Sequence, residues 1–420
     1  MSAPLTTRVD VAIAGGGLVG ASLGLALAGT DKRVLLIEAV PAGDSGQPSF
    51  DDRTSALGNG SRRILETLGV WQHLAGSASA VREIQVSDAG HPGGARLSAR
   101  EQGLEALGYV VPNRQIGAAL WRQLAACPQV LVRCPAHVSE VRFEPESVRL
   151  SVAAVSTTAR SAAAAPELIE ARVAVAADGA LSTVRAAAGI GATVEDYAQV
   201  ALVVHLATDR PSSGVAYERF TTTGPLAVLP LADGGYTVVW TLAPERARAV
   251  LDLDDAAFMA ELQSSFGWRI GRILRAGARS AYPLRLSRAD GMVGPRVVLV
   301  GNAAQALHPV AGQGFNLGLR DAALLADSLA AADDPGAPAV LESYAARRAA
   351  DRRGMIGFTD GLVKLFASER PGVAAARGLG LTLFDLLPGA KRALSRLSWG
   401  FGGDTPRLMR GLPVAAPRQP

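Results

Sequence analysis

The sequence predicts an α/β protein, α+β overall, in which a Rossmann-like nucleotide-binding domain is interleaved with an antiparallel sheet. Three observations carry this. Near the start, an apolar strand from Asp10 runs into Gly15-x-Gly17-x-x-Gly20, then an apolar helix over 18–28, then a second strand at Val34–Ile37 that ends on Glu38. From Ala201 to Trp240 the chain alternates in strand fashion, with turns at Thr223-Gly224-Pro225 and Asp233-Gly234-Gly235, which is antiparallel patterning. Residues 296–301 read as a further buried strand, and a glycine-rich loop and a long helix over 316–331 follow it.

The first element has a chemistry of its own. Gly15 allows a tight turn, Gly17 lets the backbone approach a pyrophosphate, and Gly20 lets helix and strand pack closely. Leu18 and Val19 open the helix, whose free N–H groups and positive dipole end suit phosphate. Glu38 stands where a carboxylate accepts the hydrogen bonds of an adenosine ribose and repels a 2′-phosphate, so the fixed nucleotide is FAD or NAD. Residues 11–29 carry no charge, which also suits a signal peptide or membrane span. Asp10 and the cluster of glycines weigh against that reading.

The remaining elements follow in order. Residues 41–48 are a loop, and a helix carries Ile64, Leu65 and Leu68. Residues 81–98 form a hairpin. Asn113 caps a helix with Ile116, Leu120 and Leu124 on one face. Strands follow at 130–132 and within 138–152, and residues 157–166 are a loose hairpin tip. The strand from Val173 ends in the turn Asp178-Gly179. After the antiparallel sheet comes a helix over 255–266. Residues 355–401 are helical, apolar and basic, and 411–420 is a frayed tail.

A chain of 420 residues buries two domains' worth of core, and 49% hydrophobic residues exclude disorder over most of its length. A net charge of +4 without a Lys/Arg block excludes a nucleic-acid binder. Cys127 and Cys134 fit neither a zinc site nor a redox pair, and they suit a reducing compartment. No metal site is expected.

Three separated segments share one explanation: Gly15-x-Gly17-x-x-Gly20; Asp178-Gly179 with Ser182 and Arg185; and the run from Gly301-Asn302 through His308-Pro309, Gly312-Gln313-Gly314-Phe315-Asn316 to Gly318. Together they resemble the FAD-dependent aromatic hydroxylases, the group of p-hydroxybenzoate hydroxylase. Phe50-Asp51-x-Arg53-x-Ser55-Ala56-Leu57, Val86-Ser87-Asp88-x-Gly90-His91, Glu218-Arg219-Phe220 and Phe266-Gly267-Trp268-Arg269 are similar to the ubiquinone-biosynthesis branch. The resemblance covers roughly residues 8–400.

The resemblance implies a FAD-binding domain over 1–77, 101–182 and 283–350, a substrate-binding sheet domain over 78–100 and 183–282, and a C-terminal helical region over 351–410. It implies that Arg53 lies near the isoalloxazine or the substrate entrance, that Arg114 reaches the FAD phosphates, and that Asp178 and Gly179 border FAD and a passing NADPH or NADH. Asn302 stands where the wider group carries Asp. Independently of any family, Gly312 and Gly314 let backbone approach a flat ring, and the helix from Asn316 aims its positive end at it. His308 is either a base for a phenol or the holder of a loop hydrogen bond. Pro309 either fixes the loop against the ring or makes a simple turn. Tyr217, Phe220, Leu229 and Trp240 are read either as a substrate wall or as plain core.

The implied reaction is hydroxylation of 2-polyprenyl-6-methoxyphenol to the 1,4-benzoquinol, with oxygen carried as a flavin C4a-hydroperoxide. The alternatives are hydroxylation at another ring position or an isoprenoid flavin reductase. The implied partners are a lipophilic phenol and O2, in a cytoplasmic protein. The apolar, basic C-terminus fits a membrane surface, a homo-oligomer contact or packing on the core. A complex with other ubiquinone-biosynthesis enzymes is also open.

Overall fold

The computed structural model describes residues 6–41, 51, 53–155, 165–366, 373–400 and 404–414. The chain opens with β1 (Thr6–Ala14), α1 (Leu18–Leu27), β2 (Val34–Ile37), β3 (Thr54–Gly58) and α2 (Asn59–Thr67). Then come β4 (Ser79–Val81), β5 (Glu83–Asp88), β6 (Gly94–Ser98), β7 (Gly108–Pro112), α3 (Asn113–Ala125), β8 (Val130–Arg133), β9 (Ala136–Phe143), β10 (Val148–Ala154), β11 (Glu167–Ala176) and the short α4 (Thr183–Ala187). The middle holds β12 (Ala192–Thr208), β13 (Val215–Thr221), β14 (Gly224–Pro230), β15 (Tyr236–Leu242), α5 (Pro244–Leu251), α6 (Asp255–Phe266), β16 (Ile273–Ala276), β17 (Ser280–Ala289), β18 (Val293–Gly294), β19 (Val297–Leu299) and β20 (Gln305–Ala306). Helices α7 (Gln313–Ala330), α8 (Pro338–Phe366), α9 (Val373–Leu386) and α10 (Pro388–Ser398) follow.

The first sheet runs β18-β19-β11-β1-β2-β8, with β10 and β9 extending it from β11. Its central pairs are parallel: Val11 faces Val34 on one side and Val173 on the other. Strand β2 reads as an unbroken apolar run because all four of its residues are buried, with α1 and β9 packed against it. The strand order reverses at β1, whose neighbours are β2 and β11. Open α/β sheets bind ligands at such a switch point, beyond the carboxyl ends of the strands.

The second sheet runs β20-β17-β12-β15-β14-β13-β5-β6. All its pairs along this path are antiparallel except β13 with β5. One face carries Leu202, Leu226, Val228, Val238 and Trp240, and packs on Phe258, Leu262 and Phe266 of α6. The opposite face, with Ala201, Val203, Glu218, Phe220, Ala227, Leu229, Val239 and Thr241, lines the central cavity. A third, small sheet, β3-β7-β4, lies at that cavity's edge.

Three local readings change. Asn113 is not a cap: Pro112 holds the cap position, and the Asn113 Oδ1 accepts the Ser55 hydroxyl at 2.7 Å. The glycine-loop helix begins at Gln313, three residues early, because Gly312 in the left-handed region ends the loop there. The segment around Ser55-Ala56-Leu57, read only as a family segment, supplies strand β3. The loop at 42–48, the hairpin tip at 157–164 and the tail from 415 lie outside the described residues.

Candidate active site

The first glycine turn is built by close approach. Gly15 has φ +101°, and a Cβ there would run into the Ala177 carbonyl; a Cβ on Gly20 would run into the Gly15 carbonyl. Gly17 caps α1 with no side-chain hydrogen bond and no acid in the first turn. By contrast α6 has Asp254 as its cap, accepting the Ala257 N–H at 2.8 Å. The α1 terminus therefore keeps its N–H groups for something else, and Leu18 and Val19 present them to the cavity. Glu38 borders the same space, where its carboxylate accepts the N–H groups of Gly16 at 2.6 Å and Val40 at 2.8 Å.

The second turn lies beside the first. Asp178 Oδ2 accepts the N–H groups of Thr183 and Val184, while its Oδ1 is buried with no hydrogen-bond partner among the described residues. Ser182 caps α4 by accepting the Arg185 N–H. The Arg185 guanidinium donates to the carbonyls of Ala180 at 2.8 Å and Ala303 at 2.9 Å, tying this turn to the third motif.

That third motif grips the first. Cβ atoms on Gly301 and Gly318 would press on Val19 at 3.1 and 2.7 Å, so glycine at both places lets α1 and α7 start side by side. Gly312 caps α7 with φ +61° and, like Gly17, with no side-chain cap. Two uncapped helix N-termini thus open on one cavity of about 1610 Å³. Its wall includes Gly15, Gly17, Leu18, Val19, Glu38, Arg53, Asp178, Gly179, Asn302, His308, Pro309, Gly312, Gln313, Gly314 and Phe315.

Other predicted residues stand elsewhere. Gly20 and Gly301 act behind the wall, as close-packing positions. Asn316 is buried and straps the loop: its Nδ2 donates to the carbonyls of Ala56 and Gly312, and its Oδ1 accepts from Gly58 N and Ser61 Oγ. Arg114 lies on the exposed side of α3, outside the cavity wall, because the buried face of that helix is taken by Ile116, Leu120 and Leu124. Trp240 sits on the far face of the sheet beside Phe258, and the Tyr217 ring packs edge-on against Phe266 at 5.5 Å. Of the four predicted wall residues, Tyr217, Phe220 and Leu229 border the cavity, and Phe220 and Leu229 stand in the same side-chain rows as Glu218 and Ala227.

His308 is fully buried, and its Nδ1 accepts the Val310 N–H at 3.1 Å. That bond assigns the proton of the neutral ring to Nε2. Burial pushes its pKa down to about 4, so the ring is neutral near pH 7. Nδ1 thus holds the loop, while Nε2 is buried at the cavity wall with no hydrogen-bond partner among the described residues. Arg53 pairs with Asp51 at 2.5 Å and lies over the Tyr282 ring at 4.8 Å.

One feature escaped the sequence reading. Arg348 is paired with Asp321 at 2.7 Å and with Asp351 at 2.5 Å, and Arg320 with Asp351 at 2.8 Å, all shielded from water. Asp321 also accepts the Gly301 N–H and the Gln305 side-chain amide. The network bolts α7 and α8 together beneath the third motif. Its signal was Arg320-Asp321 inside an otherwise small and apolar run. Leu362, Leu365 and Phe366 of α8 join Leu381 and Phe384 of α9 in an apolar part of the lining, and Phe366 stacks on Phe220 at 3.5 Å between centroids, in a cluster with Val310 of the third motif.

These residues fit FAD. They supply two free helix termini, a ribose carboxylate, a glycine loop with open space over Gly314, and an unpartnered carboxyl oxygen on Asp178. Residues 8–359 match the family described as FAD binding domain. The chain belongs to this family of FAD-dependent monooxygenases. The flavoprotein is 37% identical over 413 residues to the ubiquinone hydroxylase UbiL of Rhodospirillum rubrum, covering 96% of this chain and 93% of that one. It is 33% identical to the 3-demethoxyubiquinol 3-hydroxylase of Escherichia coli, covering 93% and 98%. Among solved structures, p-nitrophenol 4-monooxygenase PnpA of Pseudomonas putida superposes with a TM-score of 0.77 at 19% identity, covering 95% and 99%, which shows a shared fold. The flavoprotein is thus an oxidoreductase of the ubiquinone-hydroxylase branch. Among the described residues no helix is long and apolar enough to cross a membrane, and no group of side chains could hold a metal ion.

Proposed function

We propose that this flavoprotein hydroxylates a polyprenylated phenol in ubiquinone biosynthesis, converting 2-polyprenyl-6-methoxyphenol to the corresponding 1,4-benzoquinol. NADPH or NADH supplies two electrons; one atom of O2 enters the ring and the other leaves as water. The observation that carries the reading is that one cavity holds both the two helix termini and the apolar lining of the sheet and α8–α9. A polar cofactor and an apolar chain fit side by side in such a space.

Bound FAD would supply the activation of oxygen. The chain's own residues do the rest. The α7 terminus favours negative charge by roughly 0.3–1 kcal/mol, more when buried. The apolar lining excludes water, which protects a reactive oxygen donor from decay. Neutral His308 holds the loop without adding charge. Leu379, Leu383, Leu386 and Leu387 are exposed on the C-terminal helices near Arg392 and Arg396, which suits a peripheral contact with an anionic bilayer that holds the substrate. Hydroxylation at another ring position is the second reading, favoured by the identity with the Escherichia coli 3-hydroxylase.

The test is oxygen uptake by FAD-loaded protein with NADPH or NADH and 2-geranyl-6-methoxyphenol, with the product's ring position read by NMR. Phenol-dependent uptake and a para-hydroxylated product are expected. Uptake no faster than without phenol would overturn the reading, and a product hydroxylated elsewhere would move it to the second.

A further inference from the structure

We propose that Glu218 accepts the phenolic proton of the aromatic substrate, so that the sheet selects and activates the ring while the glycine loops hold the cofactor. This rests on the phenol-hydroxylase reading above. Three acids border the cavity among the described residues: Glu38, Asp178 and Glu218. The first two accept backbone N–H groups at the ends of parallel strands. Glu218 stands on the sheet. It shares its row in β13 with Ala216 and Phe220, and its cross-strand neighbours are Ala227 of β14 and Val86 of β5.

All the immediate neighbours on that face are apolar, and Ala216 and Ala227 are too short to cover a carboxyl group. Glu218 is half-buried, and its Oε1 is buried with no hydrogen-bond partner among the described residues. A carboxyl group left so is costly, unless a ligand completes it. Burial alone pushes its pKa up to about 7, close to the pH at which a general base works best.

The surrounding charges are engaged elsewhere. On β5, Asp88 pairs with Arg377 of α9 at 3.0 Å, and Glu83 accepts from Gln85. Strands β14 and β15 carry no charged residue; Tyr236 is their one titratable group, on the helix-covered face. On α8, Lys364 pairs with Asp360. Arg219 alternates to the other face of β13, as does the ring of Tyr217, which packs on Phe266; the remaining charged or titratable lining residues are Arg53, Tyr109, His137, Tyr282, Arg285 and His308. In the proposed step the phenol O–H bond breaks, its proton forms an O–H bond on Glu218, and the electron pair stays on the phenolate oxygen. The ring becomes a better nucleophile, with no change of oxidation state.

The experiment is a pH profile of NADPH-dependent hydroxylation of 2-geranyl-6-methoxyphenol by FAD-loaded wild type and Glu218→Gln. Wild-type kcat/KM should rise with pH through about 7, and the variant should lose that limb. Its kcat should fall about a hundredfold with KM within threefold and one FAD still bound per chain. Wild type should bind the phenol more tightly than its methyl ether, and Glu218→Leu, which has no acceptor, should bind both alike. A wild-type profile flat between pH 6 and 8 would overturn the proposal without any variant, as would a variant with wild-type kcat. Wild type that hydroxylates no prenylated phenol would instead overturn the functional reading, and this one with it.

Discussion

The two walls of the cavity are built by opposite rules. On the cofactor wall, backbone does the work: Gly15, Gly17 and Gly312 shape the turns, and two helix termini are left uncapped. On the sheet wall, side chains do the work: a single alternating row from Ala216 to Phe220 decides what the cavity offers. Backbone constraints are local in sequence and intolerant of change. Side-chain rows are replaceable one residue at a time. A cofactor is thus held by the part of the chain least free to vary, and a substrate by the part that tunes.

Changes on the two walls should therefore separate cofactor from substrate. The largest effect is expected beneath the cofactor wall. Arg348→Met leaves Asp321 and Asp351 buried with fewer partners and should destabilise by about 3–5 kcal/mol, read by urea unfolding. Gly15→Val combines a left-handed φ with a collision at Ala177. It should lower FAD affinity at least about a hundredfold, seen as colourless purified protein.

His308 gives a pH signature. Its folded pKa of about 4 lies below the unfolded 6.5, so below pH 6.5 only the unfolded state takes the proton. Stability should fall as pH drops from 6.5 to 4, by up to about 3 kcal/mol, and His308→Gln should lack this component of the fall. Smallest is Phe220→Ala, which removes the stack on Phe366. It should raise KM for a long-tailed phenol about tenfold and leave FAD content unchanged. Loss of FAD in that variant would break the division between the walls.

The same division explains what could be read from the sequence. The glycine turns, the parallel strands and the antiparallel sheet were legible, because spacing and period are written along the chain. The sheet's facing was not. Alternation groups Tyr217 with one parity and Glu218 with the other, but which parity meets the cavity is set by where α5 and α6 pack, thirty residues or so downstream. Sequence alone therefore leaves Tyr217 and Trp240 open between substrate wall and core, and shows Glu218 only as part of a motif. Helical spacing likewise gives the buried stripe of α3, and Arg114 falls outside it, on the exposed side of that helix. The Arg320–Asp351–Arg348–Asp321 network joins two helices, so neither helix alone discloses it.

The central claim is that an early and a late glycine turn hold one FAD. Gly314 tests it most directly. It lies 297 residues beyond Gly17, has no atom within 4 Å of where a Cβ would stand, and needs no special backbone angle. Equilibrium FAD binding to Gly314→Val, with the thermal midpoint of the apoprotein as control, should show affinity reduced at least about tenfold and an unchanged midpoint. Wild-type FAD affinity in that variant would contradict the claim.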